Sequence, residues 1–206
     1  IKNCANYGSL TDTGTSGYAS IGGIAGDLYG ESLSKAVIYV QNCLNYGTIT
    51  HSGTTDTLYV GGILGSTSSS GTGNIENCVS GGKIISSKAS STVGNIVGYI
   101  SSGVTTLTHC YWSSDDNYNR ACGSGSGSGS SAIKESTSFN STTFELSKTI
   151  SVGSHTGTSL LSALNAFADY YYLHSYSYWL LNKDSKEVSF TINNRTKSFI
   201  LNSQLI

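Results

Sequence analysis

The 206-residue sequence contains no proline and no methionine. An average chain carries about 5% proline, and strand ladders give a reason for doing without it: proline has no amide to donate and is excluded from interior strands. Charge is scarce too, at 11% of residues against roughly 25% in typical soluble domains, and the formal net charge is −1. There is no basic field to hold nucleic acid or an anionic membrane. No apolar run approaches the roughly 20 residues of a bilayer-spanning helix. The chain also shows no initiator Met and no signal peptide and opens inside a repeat, so it is expected to be a segment of a longer or processed polypeptide. What it does contain is hydroxyl and glycine: 38 Ser, 22 Thr, 25 Gly and 14 Tyr. A hydrophobic fraction of 37% is too high for a disordered polar tract. This composition predicts many short strands and turns under a hydroxyl-rich surface.

Self-similarity decides the fold class. The motif Ile1-Lys2-Asn3-Cys4-Ala5-Asn6-Tyr7-Gly8-Ser9-Leu10 returns at Val40 to Ile49 around Asn42, Cys43, Asn45, Tyr46 and Gly47. It returns again at Ile75 to Ile84 around Asn77 and Cys78, and a degenerate copy runs Leu107-Thr108-His109-Cys110-Tyr111-Trp112. A second motif lies between these in constant phase: Ile21-Gly22-Gly23-Ile24-Ala25-Gly26, Val60-Gly61-Gly62-Ile63-Leu64-Gly65 and Val93-Gly94-Asn95-Ile96-Val97-Gly98. One copy has too few apolar residues to close a core. Stacking copies about 4.8 Å apart buries each such residue against its equivalents above and below. The glycines fit tight corners where a Cβ would clash. This predicts an all-β parallel β-helix, or β-solenoid, over 1–113, with Ile24, Ile63 and Ile96 in one stack and Cys4, Cys43 and Cys78 in another.

These motifs resemble the GLUG-type repeats of bacterial and protist surface proteins, in which V-G-G-I-x-G alternates with I-x-N-C-x-x-x-G-x-I. The resemblance implies a parallel β-solenoid, and it continues through Cys110-Tyr111-Trp112, Leu164-Asn165 and Trp179-Leu180-Leu181-Asn182 in the family's order. It departs at the end, where Val188-Ser189-Phe190-Thr191-Ile192 replaces a Gly-Tyr-Pro-x-Leu strand.

Beyond the repeats, 114–138 is polar and contains a Gly/Ser alternation from Gly123 to Ser131, which reads as a loop or spacer. The remainder, 139–206, reads as a small α+β module. Ser159 is an N-cap candidate, with Leu160, Leu161, Leu164, Phe167, Ala168 and Tyr171 at helical spacing behind it. Val188, Phe190 and Ile192 alternate, Asn193-Asn194 signals a turn, and Phe199 and Leu201 alternate again, as a hairpin would. This helix-plus-hairpin module is expected to cap the solenoid's C-terminal edge.

The repeat cysteines read as an inward stack of small apolar side chains, since C-x-x-C metal spacing is absent. Cys122 lies off the repeat, and a Cys110–Cys122 disulfide is expected as one possibility. Asn3, Asn42 and Asn77 read as a stacked ladder, and Tyr7 and Tyr46 as packing between copies rather than a sugar-binding strip. Tyr170, Tyr171, Tyr172, Tyr176, Tyr178 and Trp179 form the densest aromatic cluster, either a binding surface or a cap core. Asp115-Asp116 is an adjacent acid pair without the opposed geometry of a glycosidase. Asn140 and Asn194 head N-glycosylation triplets, which the Ser/Thr content alone would generate by chance.

The function expected from this reading is an extracellular or cell-surface structural protein, filament component or adhesin, with no catalysis, cofactor or metal. Its partners would be neighbouring repeats or subunits of the same protein, with glycans or cell-surface proteins as further candidates. The competing reading is a carbohydrate-binding or carbohydrate-degrading module on the same scaffold.

Overall fold

A computed structural model describes residues 1–28, 37–67, 72–87, 92–101, 105–115, 118–125, 133–171, 179–182, 187–192 and 195–200. The first repeat copy supplies β1 (Ala5–Asn6), β2 (Leu10–Asp12), β3 (Tyr18–Gly22) and β4 (Ala25–Leu28). The second supplies β5 (Val37–Gln41), β6 (Leu44–Asn45), β7 (Ile49–His51), β8 (Thr57–Gly61) and β9 (Leu64–Thr67). The third supplies β10 (Thr72–Glu76), β11 (Val79–Ser80), β12 (Ile84–Ser86), β13 (Val93–Gly94) and β14 (Val97–Ile100). The fourth supplies β15 (Thr105–Thr108), β16 (Tyr111–Ser113) and β17 (Cys122–Gly125), and a fifth supplies β18 (Ile133–Lys134) and β19 (Thr137–Phe139).

Each strand of one copy pairs in parallel with the corresponding strand of the next. The resulting series are β1-β6-β11-β16-β19, β2-β7-β12, β3-β8-β13, β4-β9-β14-β17 and β5-β10-β15-β18. Register follows the motif: Ala5 lies opposite Leu44, Leu44 opposite Val79, Val79 opposite Tyr111 and Tyr111 opposite Thr137. The isoleucine stack forms through the same rule, with Ile24 N–H donating to the Ile63 carbonyl and Ile63 N–H to that of Ile96, both at 2.9 Å. The chain is thus mostly β, built from several parallel-paired sheets.

The V-G-G-I-x-G motif has a steric cause. A Cβ on Gly61 would lie 2.0 Å from the Leu64 carbonyl and 2.7 Å from Gly98 N, because two sheets meet there backbone to backbone. Across the interior, a Cβ on Gly62 would strike Ser80 Oγ at 1.9 Å. Two apolar clusters fill the space between sheets. One holds Val40, Cys43, Ile63, Leu64, Ile75, Cys78, Ile96 and Cys110, the other Ile49, Leu58, Val60, Ile84 and Val93.

The expected spacer is corrected in part. Within 114–138, β17 pairs with β14, placing Cys122 opposite Val97, while β18 pairs with β15 and β19 with β16. The Gly/Ser alternation enters β17 as far as Gly125; its remainder lies outside the described residues. Ile133 to Phe139 is a fifth copy of the first motif, with Glu135 where Asn stands and Ser136 where Cys stands.

Past β19 the pairing reverses. Strands β20 (Glu145–Val152) and β21 (His155–Ser159) extend the β19 sheet in antiparallel fashion, with Phe139 opposite Leu146. Helix α1 (Leu160–Tyr171) follows. Ser159 caps it as expected: Ser162 N–H donates to Ser159 Oγ at 3.3 Å, and Ser159 N–H donates back to Ser162 Oγ at 2.9 Å. Leu160, Ala163, Leu164 and Phe167 share one apolar cluster with Ile150, Val152, Phe139, Tyr111, Val79 and Leu44. Leu44 and Cys43 are adjacent and belong to different clusters, as strand alternation requires. The helix therefore covers the second face of the β6-β11-β16-β19 sheet as well as the end of the stack. β22 (Trp179–Asn182), β23 (Glu187–Ile192) and β24 (Arg195–Ile200) form an antiparallel sheet. It contains the expected hairpin, whose turn at Asn193-Asn194 lies outside the described residues.

Candidate functional site

The Asn-Cys dipeptide of the first three copies, and His109-Cys110 and Glu135-Ser136 in its place in the fourth and fifth, mark a sharp bend before the short strand. Asn3, Asn42, Asn77, His109 and Glu135 all have positive φ, at 56°, 54°, 50°, 54° and 43°. Asn is among the few side chains enriched in this left-handed region. Its amide adds a ladder: Asn77 Nδ2 donates to Asn42 Oδ1 at 2.9 Å, and Asn42 Nδ2 to Asn3 Oδ1 at 3.1 Å.

The bend aims the next residue inward, where the thiols stack. Each Sγ donates to the carbonyl two residues before it: Cys4 to Lys2 at 3.4 Å, Cys43 to Gln41 at 3.3 Å, Cys78 to Glu76 at 3.3 Å and Cys110 to Thr108 at 3.6 Å. Ser136 continues the column, its Oγ donating to Lys134 at 2.9 Å. Cys4 is exposed, and Cys43, Cys78 and Cys110 are buried. A hydrogen bond from the Cys78 thiol outweighs burial at Cys43 and, with help from Cys4, lowers that thiol from 9.0 to about 7. Burial, reinforced by its neighbours Cys110 and Cys43, pushes Cys78 well above 9.0. Cys4 is raised by burial and by the charge of Cys43.

The expected Cys110–Cys122 disulfide is not formed; both are free thiols. Cys110 stands in the motif column, whereas Cys122 stands in another sheet in line with Ala25, Leu64 and Val97. Cys122 Sγ donates to the Ser124 carbonyl at 3.4 Å, and burial raises its thiol to about 12.

A second surface feature is an aromatic strip. Tyr59 on β8 and Tyr99 on β14 stack with ring centroids 4.4 Å apart, and Tyr18 on β3 meets Tyr59 edge-on at 5.8 Å. Tyr18 is 54% exposed. Its hydroxyl lies 2.7 Å from Ser66 Oγ, which is 2.8 Å from Ser20 Oγ and donates to Asp27 Oδ1 at 2.9 Å. The strip thus combines one open ring face with hydroxyls and a carboxylate, the group types that recognise polyols. The three tyrosines occupy different phases of the repeat: Tyr18 lies opposite Thr57, Tyr59 opposite Ser20 and Tyr99 opposite Ser66. Motif comparison therefore could not reveal them.

The C-terminal aromatic candidates fall differently. Tyr170 is 46% exposed at the end of α1, with its ring over Gly153, where a Cβ would come within 2.1 Å. Tyr171 is the last residue of α1, and Trp179 opens β22 opposite Phe190. Tyr172, Tyr176 and Tyr178 lie outside the described residues. Tyr46 is buried and stacks on Tyr7 at 6.4 Å, so that pair packs between copies. Burial raises both phenols, and Tyr111 with them.

Asp115 Oδ2 accepts from Ser141 Oγ, and Asp116 lies outside the described residues. Exposed Asn140 uses Oδ1 to accept from Thr142 and Thr143 N–H, both at 2.9 Å; Asn194 lies outside the described residues. Sequence inspection missed the pairing of His51 Nδ1 with Asp12 Oδ2 at 2.7 Å. Ser86 is next in that register, but His51 Nε2 is buried without a hydrogen-bond partner, so the three residues form no proton relay. Among the described residues no three His, Cys, Asp or Glu side chains could jointly hold a metal, and no helix is long and apolar enough to cross a membrane. No family model, curated protein or solved structure matches the chain.

Proposed function

We propose that the chain is a segment of an extracellular, repeat-built surface or filament protein of the GLUG-repeat type, a rigid spacer or adhesin without chemistry of its own. In this reading the parallel-paired copies are successive turns of a β-solenoid, and β20, β21 and α1 close its C-terminal side. The observation that carries it is the in-register pairing of every copy with the next, from Ala5 opposite Leu44 to Tyr111 opposite Thr137. Such stacking gives a stiff array whose length is set by repeat number. Its partners are further repeats of the same kind. Among the described residues each of β1, β2, β3, β4 and β5 ends its sheet, and pairing can continue there by the same rule.

A second reading, carbohydrate binding on this scaffold, is favoured by the Tyr18, Tyr59 and Tyr99 strip with its hydroxyls. Screening the chain on a glycan array, beside a Tyr18→Ser/Tyr59→Ser/Tyr99→Ser variant, separates the two. A spacer retains no glycan in either form. Retention by the unaltered chain that the variant loses replaces the spacer reading with the binding one.

A further inference from the structure

We propose that Tyr59 and Tyr99 form an oxidative cross-linking site, in which a one-electron oxidant of the peroxidase and hydrogen peroxide class joins the two rings as a dityrosine and so staples the second repeat copy to the third. This goes beyond the structural role proposed above and does not rest on it.

Ring geometry selects this pair. The Tyr59 and Tyr99 centroids are 4.4 Å apart with planes 20° from parallel, at the tight end of the roughly 4.5 to 7 Å usual for aromatic pairs. An oxidised phenol carries its unpaired electron in the ring π system, with density on the carbons flanking the hydroxyl-bearing one. Two such radicals couple where their π lobes overlap, and those lobes lie along the ring normals. Stacked faces meet that condition, and crossed planes do not. Tyr18 fails it: its plane is 69° from that of Tyr59 and its centroid is 5.8 Å away, with its hydroxyl 2.7 Å from Ser66 Oγ. Tyr7 and Tyr46 are nearly parallel, at 8°, but their centroids are 6.4 Å apart and Tyr46 is buried, out of reach of an oxidant.

The place of the pair in the repeat array makes it reachable. Leu58 and Val60 are buried on either side of Tyr59, so alternation turns its ring away from the core. Tyr59 and Tyr99 are both half-buried, open to a small oxidant and with room to pivot together. Tyr59 stands opposite Ser20 of the first copy, and Tyr99 opposite Ser66 of the second and Ser124 of β17. A further copy stacked on β1 to β5 would pair with the first copy and leave this contact as it is.

Each phenol gives one hydrogen atom, an electron with a proton, to the oxidant, so hydrogen peroxide takes two electrons and two protons and becomes two waters. The two phenoxyl radicals form one carbon–carbon bond between Cε atoms. The hydrogens displaced from those carbons pass through solvent to the two oxygens, which restores both phenols and both aromatic rings. The chain loses two hydrogens in all.

The test treats the dilute 206-residue chain with a peroxidase and limiting hydrogen peroxide, shown active on free tyrosine. Monomer is then separated from oligomer by size, and its peptides are mapped by mass spectrometry. The monomer should show dityrosine fluorescence and carry a cross-link joining the Tyr59 and Tyr99 peptides, lighter by two hydrogens than their sum. Tyr59→Phe and Tyr99→Phe keep the stacked rings but remove the hydroxyl that yields the radical, and each should lose that cross-link; Tyr18→Phe should keep it. An unmodified monomer, dityrosine confined to oligomers, or a monomer cross-link joining Tyr18 to Tyr59 in its place would overturn the proposal. Should either phenylalanine variant not fold, the cross-link map of the unaltered chain decides alone.

Discussion

The first two repeat copies are close in sequence and far apart in burial. Ile1 is 45% exposed where its counterpart Val40 is 1% exposed, and Cys4 is exposed where Cys43 is buried. Ile24 is half-buried where Ile63 is inaccessible. Copy two has a neighbour on each side, and copy one has a neighbour on one side among the described residues. The core is therefore a property of stacking: the same motif makes a core residue or a surface residue according to what lies next to it. Matched substitutions in the two copies should separate what the motif contributes from what its neighbours contribute.

The largest contrast is expected at equivalent glycines. A Cβ on Gly47 would lie 2.0 Å from the Gly8 carbonyl, whereas one on Gly8 would meet nothing nearer than Asn6 Oδ1 at 3.5 Å. Gly47→Ala should cost about 3 kcal/mol or more by forcing the backbones apart, and Gly8→Ala should stay within about 0.5 kcal/mol. Chemical denaturation of both variants measures this. Equal effects would mean that the copies are not stacked in this register.

Next come the isoleucines. Ile63→Ala should cost about 3 kcal/mol, as fully buried truncations do, and Ile24→Ala less than half of that. A smaller contrast is expected at the bend. Asn42→Ala loses two ladder hydrogen bonds, to Asn3 and from Asn77, and places alanine at a φ of 54°, a cost of about 2 kcal/mol. Asn42→Gly should recover the backbone part, and Asn3→Ala should lose fewer contacts than Asn42→Ala.

The bend also shows what was legible in the sequence. Three copies could be aligned because Asn-Cys and the G-x-I-x-G pattern recur, and a degenerate fourth because Cys110 keeps its place; each recurrence has a local cause in left-handed φ or backbone approach. The fifth copy was hidden because Glu135 holds the left-handed position and Ser136 holds the cysteine's, which keeps the geometry and discards the letters. β17 was hidden in Gly/Ser alternation, since close approach of Gly123 to the Gly98 carbonyl favours glycine as much as a flexible linker does. The helix was legible from Ser159 and its apolar spacing. The β20-β21 hairpin was not, because its register shifts between Glu145 and Ile150 and breaks the alternation that marks a strand. Of the candidate sites, the inward cysteines and packed tyrosines could be read from repeat position. The Tyr18, Tyr59 and Tyr99 strip could not, because it brings together residues from different phases.

The smallest contrast concerns pH. Burial holds the Tyr46, Tyr7 and Tyr111 phenols protonated above their ordinary 10.0, and the Cys122 thiol above 9.0, at about 12. Folded values above unfolded ones mean that the unfolded chain releases these protons first. Their contribution is whole below 9.0 for the thiol and 10.0 for the phenols, and it is lost as pH rises beyond. Cys43 has the opposite sign: lowered to about 7, its contribution is present above 9.0 and lost as pH falls through 7. The melting temperature should decline above pH 9 to 10, and Tyr46→Phe should flatten that decline more than Tyr7→Phe. At neutral pH Tyr46→Phe should be close to neutral, since the Tyr46 hydroxyl is buried without a partner.

The central claim is that each residue's neighbour is its own equivalent in the next copy, and side-chain nuclear Overhauser effects at the isoleucine stack test it most directly. The structure predicts cross-peaks joining Ile24 to Ile63 and Ile63 to Ile96, with none joining Ile24 to Ile96, as their hydrogen bonds require. A direct Ile24–Ile96 contact, or the absence of both neighbouring pairs in a folded sample, would contradict it.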